Sequence, residues 1–374
     1  MKVAIVGASG YVGQELMKLV LRHKFLRLED AVSNSWSGKK ISLLIGKNKE
    51  TIEKDFISVD SFMAKYKSYD LIFLALPHGD CAKFYVNIRD FDGYIIDLSS
   101  DFRLSSKNRH MWKDDKHVCE EDLDKFVYGL ADIDGDNIAK SKLIANPGCY
   151  ATSILLATIP AIEAYKKHTE TISIFSMSGV SGAGYKATMK NSYCEINENT
   201  YAYALKNHNH IGEIEDYILT KYDFTTKIQF TPHLIPINRG ISSTCYINLD
   251  GKFVNEYFTS EEFIVESHLK SNDSYTSTIN IDTFASELIN MYKDFYKNSE
   301  FVYIVDEIPQ VKDVAYTNQC HIYVDYDKRT NNIVIVSVID NLMKGAASQA
   351  IQNVNTICRY SISEGLQGGY YENN

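Results

Sequence analysis

The 374-residue sequence lacks the features that mark several classes of protein. Its seven cysteines form no CxxC pair, so neither a zinc site nor a redox dithiol is expected, and reduced thiols suit a cytoplasmic protein. The chain opens on a strand-like segment rather than a secretory signal, and no apolar run approaches the length of a membrane span. Because the net charge is −9 and no basic run occurs, nucleic acid is not an expected partner.

The sequence before Cys149 alternates continuous apolar segments with stretches of helical periodicity. The apolar segments are Val3–Val6, Leu26–Val32, Leu71–Leu76, Tyr94–Leu98 and Lys142–Ala145. Continuous apolar strands separated by helices are typical of a parallel sheet that is covered on both faces. We therefore predict an α/β fold whose first domain carries such a sheet.

After Cys149 the apolar residues alternate with polar ones, which is the pattern of half-buried strands. The segments with this pattern are Thr171–Met177, Thr226–Phe230, Ser242–Leu249, Cys320–Asp325 and Asn332–Ile339. They predict an α+β domain with a largely antiparallel sheet. A final helix is expected over Asn341–Arg359, where apolar residues recur at helical spacing.

A glycine-rich turn, Gly7–Gly13, joins the first strand to the first helix. Its pattern is GxxGxxG, and its place between a strand and a helix favours a dinucleotide site of the Rossmann type, although a tight turn without a ligand is the alternative. The residues expected to contact the dinucleotide here are Gly7, Ser9, Gly10, Tyr11 and Val12.

The end of the second strand bears on the choice between NAD and NADP. Sites for NAD place a carboxylate about 20 residues beyond the glycine turn, where it binds the ribose 2′-hydroxyl. This strand is instead followed by Ser33, Ser35 and two lysines, a set that suits a 2′-phosphate. Glu29 and Asp30 lie just upstream and would matter if the strand ended earlier. We predict NADP(H).

The segment Asn146–Tyr150 (NPGCY) follows a predicted strand and opens a predicted helix. Cys149 therefore falls at a helix start, where the dipole and free amides favour a thiolate and can hold an oxyanion. A thiolate needs an acid/base partner, and His208 and His210 are the candidates. The HxH pair also fits a metal site, but no third ligand has a suitable spacing, so no metal is expected.

From Met1 to about Tyr360 the chain resembles the N-acetyl-gamma-glutamyl-phosphate reductases. The motifs that carry the resemblance are GASGYVG at Gly7–Gly13, ALPHG at Ala75–Gly79, DLSSDFRL at Asp97–Leu104, YGLAD at Tyr128–Asp132, NPGCY at Asn146–Tyr150, SGVSGAG at Ser178–Gly184, HNH at His208–His210, FTPHLIPINRGI at Phe230–Ile241 and IDNLMKGAASQAIQN at Ile339–Asn353. The sequence departs from the family at Ala151, Tyr185, Asn209 and Gly212, which leaves the anion-binding residues open.

The resemblance implies a fold similar to that of glyceraldehyde-3-phosphate and aspartate-semialdehyde dehydrogenases. A Rossmann domain over residues 1–148 plus 341–374 would hold NADP(H). Residues 149–340 would form the catalytic domain, and the protein would be a homodimer or homotetramer. The expected location is cytoplasmic.

The resemblance also assigns roles to residues. Cys149 would be the nucleophile, His208 the acid/base and His210 a neighbour that contacts the substrate. The residues implied to contact the cofactor in addition to the glycine turn are Pro77, Gly182, Gly184 and Asn341. The cationic candidates for the substrate's carboxylate and phosphate are Arg103, Lys186, His233 and Arg239, of which His233 and Lys186 have a purely structural role as the alternative.

The reaction that the resemblance implies is the NADPH-dependent reduction of N-acetylglutamyl 5-phosphate to the semialdehyde, in arginine biosynthesis. Three alternatives stay open: the related reductase of a carrier-bound aminoadipyl phosphate in lysine biosynthesis, an aspartate-semialdehyde dehydrogenase, and an NADP-binding regulatory module without catalysis. The chain shows no clear basic groove for an acidic carrier protein, which disfavours the first.

Overall fold

The strands of the protein form two sheets, one parallel and one mixed. A computed structural model describes residues 1–47, 51, 53–113, 117–185, 188–254, 257 and 281–366. Lys186, one of the cationic candidates, lies outside the described residues. In the described part of the chain, no helix is long and apolar enough to cross a membrane.

The first sheet has six strands, all parallel, in the order β2-β1-β3-β4-β6-β5. The strands are β1 Lys2–Val6, β2 Arg27–Val32, β3 Leu71–Leu74, β4 Tyr94–Asp97, β5 Val127–Tyr128 and β6 Leu143–Ala145. The central strands are buried almost without interruption, as a sheet covered on both faces requires. The predicted parallel sheet is confirmed, and β5 is a short strand that the sequence pattern did not indicate.

The second sheet has seven strands in the order β11-β12-β13-β10-β7-β9-β8. The strands are β7 Thr169–Gly179, β8 Tyr201–Ala202, β9 Ile228–Ile235, β10 Ile241–Leu249, β11 Val302–Ile304, β12 Cys320–Asp327 and β13 Asn332–Ile339. Most pairs are antiparallel, as predicted, but β7 pairs with β9 and β11 with β12 in parallel. The sheet is therefore mixed, because alternating burial predicts a half-buried strand without fixing the direction of its neighbour.

Helices cover both sheets. The α-helices are Tyr11–Arg22, Ser42–Ile45, Val59–Met63, Asp80–Val86, Ala131–Ile138, Cys149–Tyr165, Tyr193–Ile196, Asn209–Tyr222, Ile281–Phe295, Val311–Val314 and Ser348–Cys358. Shorter 3-10 turns are Tyr66–Ser68, Arg109–Met111, Glu120–Lys125, Lys166–His168, Val180–Ala183 and Met189–Asn191. The helix Cys149–Tyr165 is buried on all sides from Tyr150 to Ile162, because it packs against β10 and β13 on one side and against other helices on the other.

The C-terminal segment returns to the parallel sheet. Its buried residues Ala350, Ile351 and Val354 share a core with Leu16 and Met17 of the first helix. The predicted helix Asn341–Arg359 begins differently, as the π-helical turn Met343–Ala347, before the α-helix Ser348–Cys358. The return was expected from the resemblance, while the exact domain boundaries stay a prediction.

Candidate active site

Cys149 is the first residue of its helix, directly after β6 and the Asn146–Gly148 turn. The residue at the N-cap position is Gly148 and no side-chain cap is present, so the amides of Cys149 and Tyr150 are available to the Cys149 sulfur. A Cβ on Gly148 would lie 2.2 Å from Nε2 of His210 and 2.7 Å from Nη1 of Arg103. Glycine is therefore required there, because the two side chains occupy the space beside the nucleophile's turn.

The surroundings of the Cys149 thiol act on its pKa in opposite directions. Burial raises the pKa to about 11, and the Glu213 charge adds to this. The Arg103 charge and the amides of Cys149 and Tyr150 lower it. The sequence predicted a favoured thiolate from the helix start alone, and these amides do favour it. Burial outweighs them, so the thiol is protonated at neutral pH.

His208 and His210 lie at the start of the helix Asn209–Tyr222, and their rings contact that of Tyr150, the residue after Cys149. The two rings are 4.8 Å apart between centroids, and the Tyr150 ring lies 5.5 Å from His208 and 5.8 Å from His210. His208 caps the helix, since its Nδ1 accepts a 3.2 Å hydrogen bond from the His210 amide. In a neutral ring the proton is then on Nε2, so His208 presents a donor.

Both histidines are neutral at physiological pH. Burial lowers the pKa of His208 to about 4 and that of His210 to about 3, although the Glu213 charge opposes the shift in each. His78 is near enough to lower both further, and its own Nδ1 accepts from the Ser100 amide at 2.9 Å. The site thus brings together three imidazoles, one from the segment after β3 and two from the start of the helix Asn209–Tyr222.

Glu213 is a site residue that the sequence did not single out. Its carboxylate is 2% exposed and accepts hydrogen bonds from the Gly148 amide at 2.7 Å and the Tyr128 hydroxyl at 2.7 Å. It also pairs with Arg103 at 3.1 Å. The available signal was its position three residues after His210, which places both side chains on one face of the helix.

The glycine turn has the form that a dinucleotide pyrophosphate needs. Gly7 has a φ of +85°, and a Cβ there would lie 2.3 Å from the Ala75 carbonyl oxygen. The following helix begins after Gly10 with neither a side-chain cap nor an acidic residue in its first turn, so its amides suit an anion. Pro77 is two residues beyond Ala75, at the same edge of the sheet.

The end of β2 also fits the predicted preference for a 2′-phosphate. The strand ends at Val32, and a chain of hydroxyls follows, with Ser9 Oγ 2.8 Å from Ser33 Oγ and Ser33 Oγ 3.3 Å from Ser35 Oγ. Asp30 lies inside the strand, where it accepts a 2.6 Å hydrogen bond from Tyr69. Its carboxylate is therefore committed within the core.

Two elements of the second sheet reach the glycine turn. The rings of Tyr11 and Tyr185 pack edge to face with centroids 5.2 Å apart, which brings the Val180–Ala183 loop beside the first helix. A Cβ on Gly182 would lie 3.6 Å from Asn341 Nδ2, so these two predicted cofactor residues are neighbours. Gly184, with a φ of +88°, has open space at its α-carbon.

Asn341 uses its amide within the protein. Its Oδ1 accepts from the Gly240 amide at 2.7 Å and its Nδ2 donates to Ser181 Oγ at 3.0 Å. One N–H of the side chain remains for another acceptor. The predicted contact with a cofactor carboxamide stays a prediction.

The described cationic candidates differ in how many hydrogen bonds and ion pairs they already make within the protein. The Arg103 guanidinium is buried and donates to Glu213 and to the carbonyls of Asn146 and Leu98, both at 2.8 Å. Arg239 is paired with Glu15 at 2.6 Å and with Asp340 at 3.4 Å. His233 lies on β9, and its buried Nδ1 has no hydrogen-bond partner among the described residues. Their roles in substrate binding stay predictions.

The departures from the family pattern around the histidines have local partners. A Cβ on Gly212 would lie 2.6 Å from Trp112 Cγ, so the small residue makes room for the indole. Asn209 accepts a 2.7 Å hydrogen bond from Lys113. Tyr185 packs on Tyr11, as described above. These contacts lie at the edge of the site and leave Cys149 and His208 untouched.

Comparisons with known proteins agree with this arrangement. A model of the semialdehyde dehydrogenase NAD-binding domain matches residues 2–141, and one of the semialdehyde dehydrogenase dimerisation domain matches residues 149–265 and 273–341. The N-acetyl-gamma-glutamyl-phosphate reductase of Clostridium novyi is 36% identical over 366 residues, which cover 98% of this chain and 97% of that protein. The reductase of the same name from Aquifex aeolicus is 34% identical, over 98% and 97% of the two chains.

Solved structures share the fold at low identity. The aspartate semialdehyde dehydrogenase II of Vibrio cholerae has a TM-score of 0.67 and 17% identity, over 96% of this chain and 98% of that one. The aspartate semialdehyde dehydrogenase of Candida albicans, solved with NADP, has a TM-score of 0.64 and 12% identity over the same shares. The chain belongs to the semialdehyde dehydrogenase family of NAD(P)-dependent oxidoreductases, and its full-length relatives there are reductases.

Proposed function

We propose that the protein reduces N-acetyl-L-glutamyl 5-phosphate to N-acetyl-L-glutamate 5-semialdehyde and phosphate, with NADPH, through a thioester on Cys149. The observation that carries the proposal is the position of Cys149 at an uncapped helix start, between Gly148, which packs against His210, and Tyr150, whose ring contacts those of His208 and His210. The substrate is taken from full-length relatives at 34–37% identity that bear the reductase name. This reaction is a step in arginine biosynthesis.

The chemistry divides one difficult step into two. The Cys149 thiol loses its proton as its sulfur forms a bond to the acyl carbon, and the bond from that carbon to the phosphate oxygen breaks, so that phosphate leaves with the proton and a thioester remains. NADPH, when bound, supplies the hydride. The carbon–sulfur bond then breaks, the carbonyl re-forms as an aldehyde, and the sulfur regains a proton.

His208 serves both halves of this reaction as a donor. Its Nδ1 is occupied by the His210 amide, so its Nε2–H is the group available to a developing oxyanion or to the departing sulfur. The free amides at the start of the Cys149 helix point in the same direction as the helix dipole and stabilise the same negative charge.

The preference for NADP over NAD is supported at the end of β2. Lys39 lies over the Trp36 ring, 4.8 Å from its centroid, in the loop that follows Ser33 and Ser35. Lys40, its neighbour, is paired with Asp55 at 3.1 Å. Serine hydroxyls followed by a lysine in the same loop suit a phosphate, whereas a ribose hydroxyl would call for a carboxylate.

A homo-oligomer is supported by the face of the second sheet opposite its helices. Phe175, Met177 and Tyr246 on the adjacent strands β7 and β10 are 48%, 50% and 36% exposed. Together with the match to a dimerisation domain, this apolar face suits a second copy of the chain. Met177→Lys should shift the sedimentation of the protein toward a monomer, whereas Leu43→Lys, at an exposed site on the other sheet's side, should not.

The decisive experiment is the reverse reaction of the purified full-length chain. NADP⁺ reduction should require phosphate and should proceed with N-acetylglutamate semialdehyde but not with aspartate semialdehyde. Activity only with a carrier-bound aminoadipate semialdehyde would support the lysine-pathway reductase instead. NADPH binding without turnover of any of the three semialdehydes would favour a regulatory module.

A further inference from the structure

We propose that Glu213 is a positioning residue. Its carboxylate fixes the Gly148–Cys149 backbone and, together with the Arg103 guanidinium, determines the electrostatic environment of the Cys149 thiol. The inference rests on the proposed role of Cys149 as the nucleophile. It concerns a residue that accepts a hydrogen bond from the turn immediately before the thiol.

The Glu213 carboxylate bridges two helices. It belongs to the helix Asn209–Tyr222, yet its Oε1 accepts the amide proton of Gly148, the residue that precedes the helix of Cys149. The same oxygen accepts from the Tyr128 hydroxyl of β5, and Oε2 faces Arg103 and, at 3.9 Å, His210. One buried carboxylate therefore ties the nucleophile's turn to the helix that carries both histidines.

Arg103 holds the same turn from its other side. Its Nε donates to the Asn146 carbonyl at 2.8 Å, while Glu213 accepts from the Gly148 amide at 2.7 Å. The ion pair between the two side chains thus binds the backbone on both sides of Pro147. Loss of either side chain releases one of these backbone groups and leaves the other charge buried without its partner.

The charges near the thiol are few in the described part of the chain. The groups that face Cys149 are Arg103 and Glu213, with the neutral hydroxyls of Tyr150 and Tyr203. Burial works against the ionised form of Glu213, but the Arg103 charge, His210 and the hydrogen bonds from Gly148 and Tyr128 together outweigh burial and hold the pKa of that carboxyl below its usual range. Since His208 and His210 are neutral, the charged groups that act on the thiolate are one cation, Arg103, which stabilises it, and one anion, Glu213, which destabilises it.

The rate at which iodoacetamide alkylates Cys149 in the full-length protein, measured as a function of pH, reports ionisation of the thiol without any substrate. The midpoint of this pH profile is the quantity compared between variants. The Cys149 peptide is followed by mass spectrometry, and the exposed Cys194 in the same molecule is the internal control. Glu213→Gln removes the negative charge and keeps the shape, so Arg103 is left to attract the thiolate. The midpoint for Cys149 should fall by roughly one pH unit, while the Cys194 profile stays in place.

Two further variants separate charge from position. Glu213→Asp keeps the negative charge, so the midpoint of Cys149 alkylation should be unchanged. The shorter side chain draws the carboxylate back from Gly148, so kcat of the reverse reaction should fall at least tenfold. Tyr128→Phe removes one donor and keeps both charges, so its midpoint should match the wild type.

The inference is overturned if Glu213→Gln leaves the Cys149 midpoint unchanged in a protein that still binds NADPH. If that variant does not fold, wild-type kcat in Glu213→Asp overturns the positioning role. Because alkylation needs no substrate, a shifted midpoint in an enzyme that ignores N-acetylglutamate semialdehyde would reject the proposed function and keep this inference.

Discussion

The Arg239 guanidinium lies 2.6 Å from the Glu15 carboxylate, and this buried ion pair joins the loop between β9 and β10 to the helix that follows the dinucleotide turn. Asp340 is a second partner at 3.4 Å, and the Tyr316 ring lies 4.6 Å from the guanidinium carbon. Arg239 thus connects the two sheets, and the substrate-binding role that the family resemblance implies for it stays a prediction.

Replacement of Arg239 distinguishes these roles. Arg239→Ala removes the guanidinium between two buried carboxylates, of which Glu15 keeps its pair with Lys18 and Asp340 keeps only backbone amide donors, so the free energy of unfolding in urea should fall by about 3 kcal/mol. Arg239→Lys, which keeps the charge, should recover part of this loss. If Arg239→Ala instead keeps full stability and raises KM for the semialdehyde, the arginine binds substrate as the sequence predicted.

The cofactor preference can be tested with two neighbouring lysines. Lys39→Ala should weaken NADPH binding about tenfold and leave NADH binding unchanged, because a charged contact to the 2′-phosphate is lost. Lys40→Ala is the matched control, since the Lys40 ammonium is already paired with Asp55. Equal weakening of both cofactors by Lys39→Ala would argue against a 2′-phosphate site at this loop.

His208 has two separable tasks, as a helix cap and as a hydrogen-bond donor to the reacting groups. Asn is a favoured cap but lacks the ring N–H, so His208→Asn should keep thermal stability and lose kcat by on the order of 10²-fold. His208→Ala should lose the same activity and in addition about 1 kcal/mol of stability. Near-normal kcat in the Asn variant would exclude His208 as the donor.

The fold could be predicted to a large extent from the sequence because its signals are local. Gly7 has a positive φ between a strand and a helix, and Cys149 follows a Pro-Gly turn. A motif of a few residues is therefore enough to predict either position. The role of Glu213 could not be predicted from a local motif. Its partners Arg103 and Tyr128 are about a hundred residues away in the sequence and contact it only in the folded protein.

Burial explains the other differences. The anion-binding role of Arg239 stays a prediction, and its pairing with Glu15 depends on a long-range approach that the local motif does not show. The start of the Cys149 helix predicted an acidic thiol, yet the pKa depends on how much protein encloses the sulfur, which no local pattern specifies. Sequence periodicity thus identified the elements, and three-dimensional packing decided the electrostatics of the site.

Conversion of the nucleophile tests the covalent route directly. Cys149→Ser keeps the volume and the helix start but replaces the thiol by a much less acidic hydroxyl, so turnover should be almost abolished. NADPH binding should persist, because the glycine turn and the end of β2 are unchanged. Substantial turnover in the serine variant would rule out a thioester.

The resting protonation of Cys149 gives a prediction for pH dependence. Burial raises its pKa to about 11, so the thiol is neutral at pH 7 and the thiolate fraction grows with each step in pH below that value. The alkylation rate of Cys149 should therefore rise throughout the range from pH 7 to roughly pH 10 and lag behind that of the exposed Cys194. A plateau reached below pH 8 would mean that the free amides and Arg103 outweigh burial, and that the nucleophile is already a thiolate before substrate arrives.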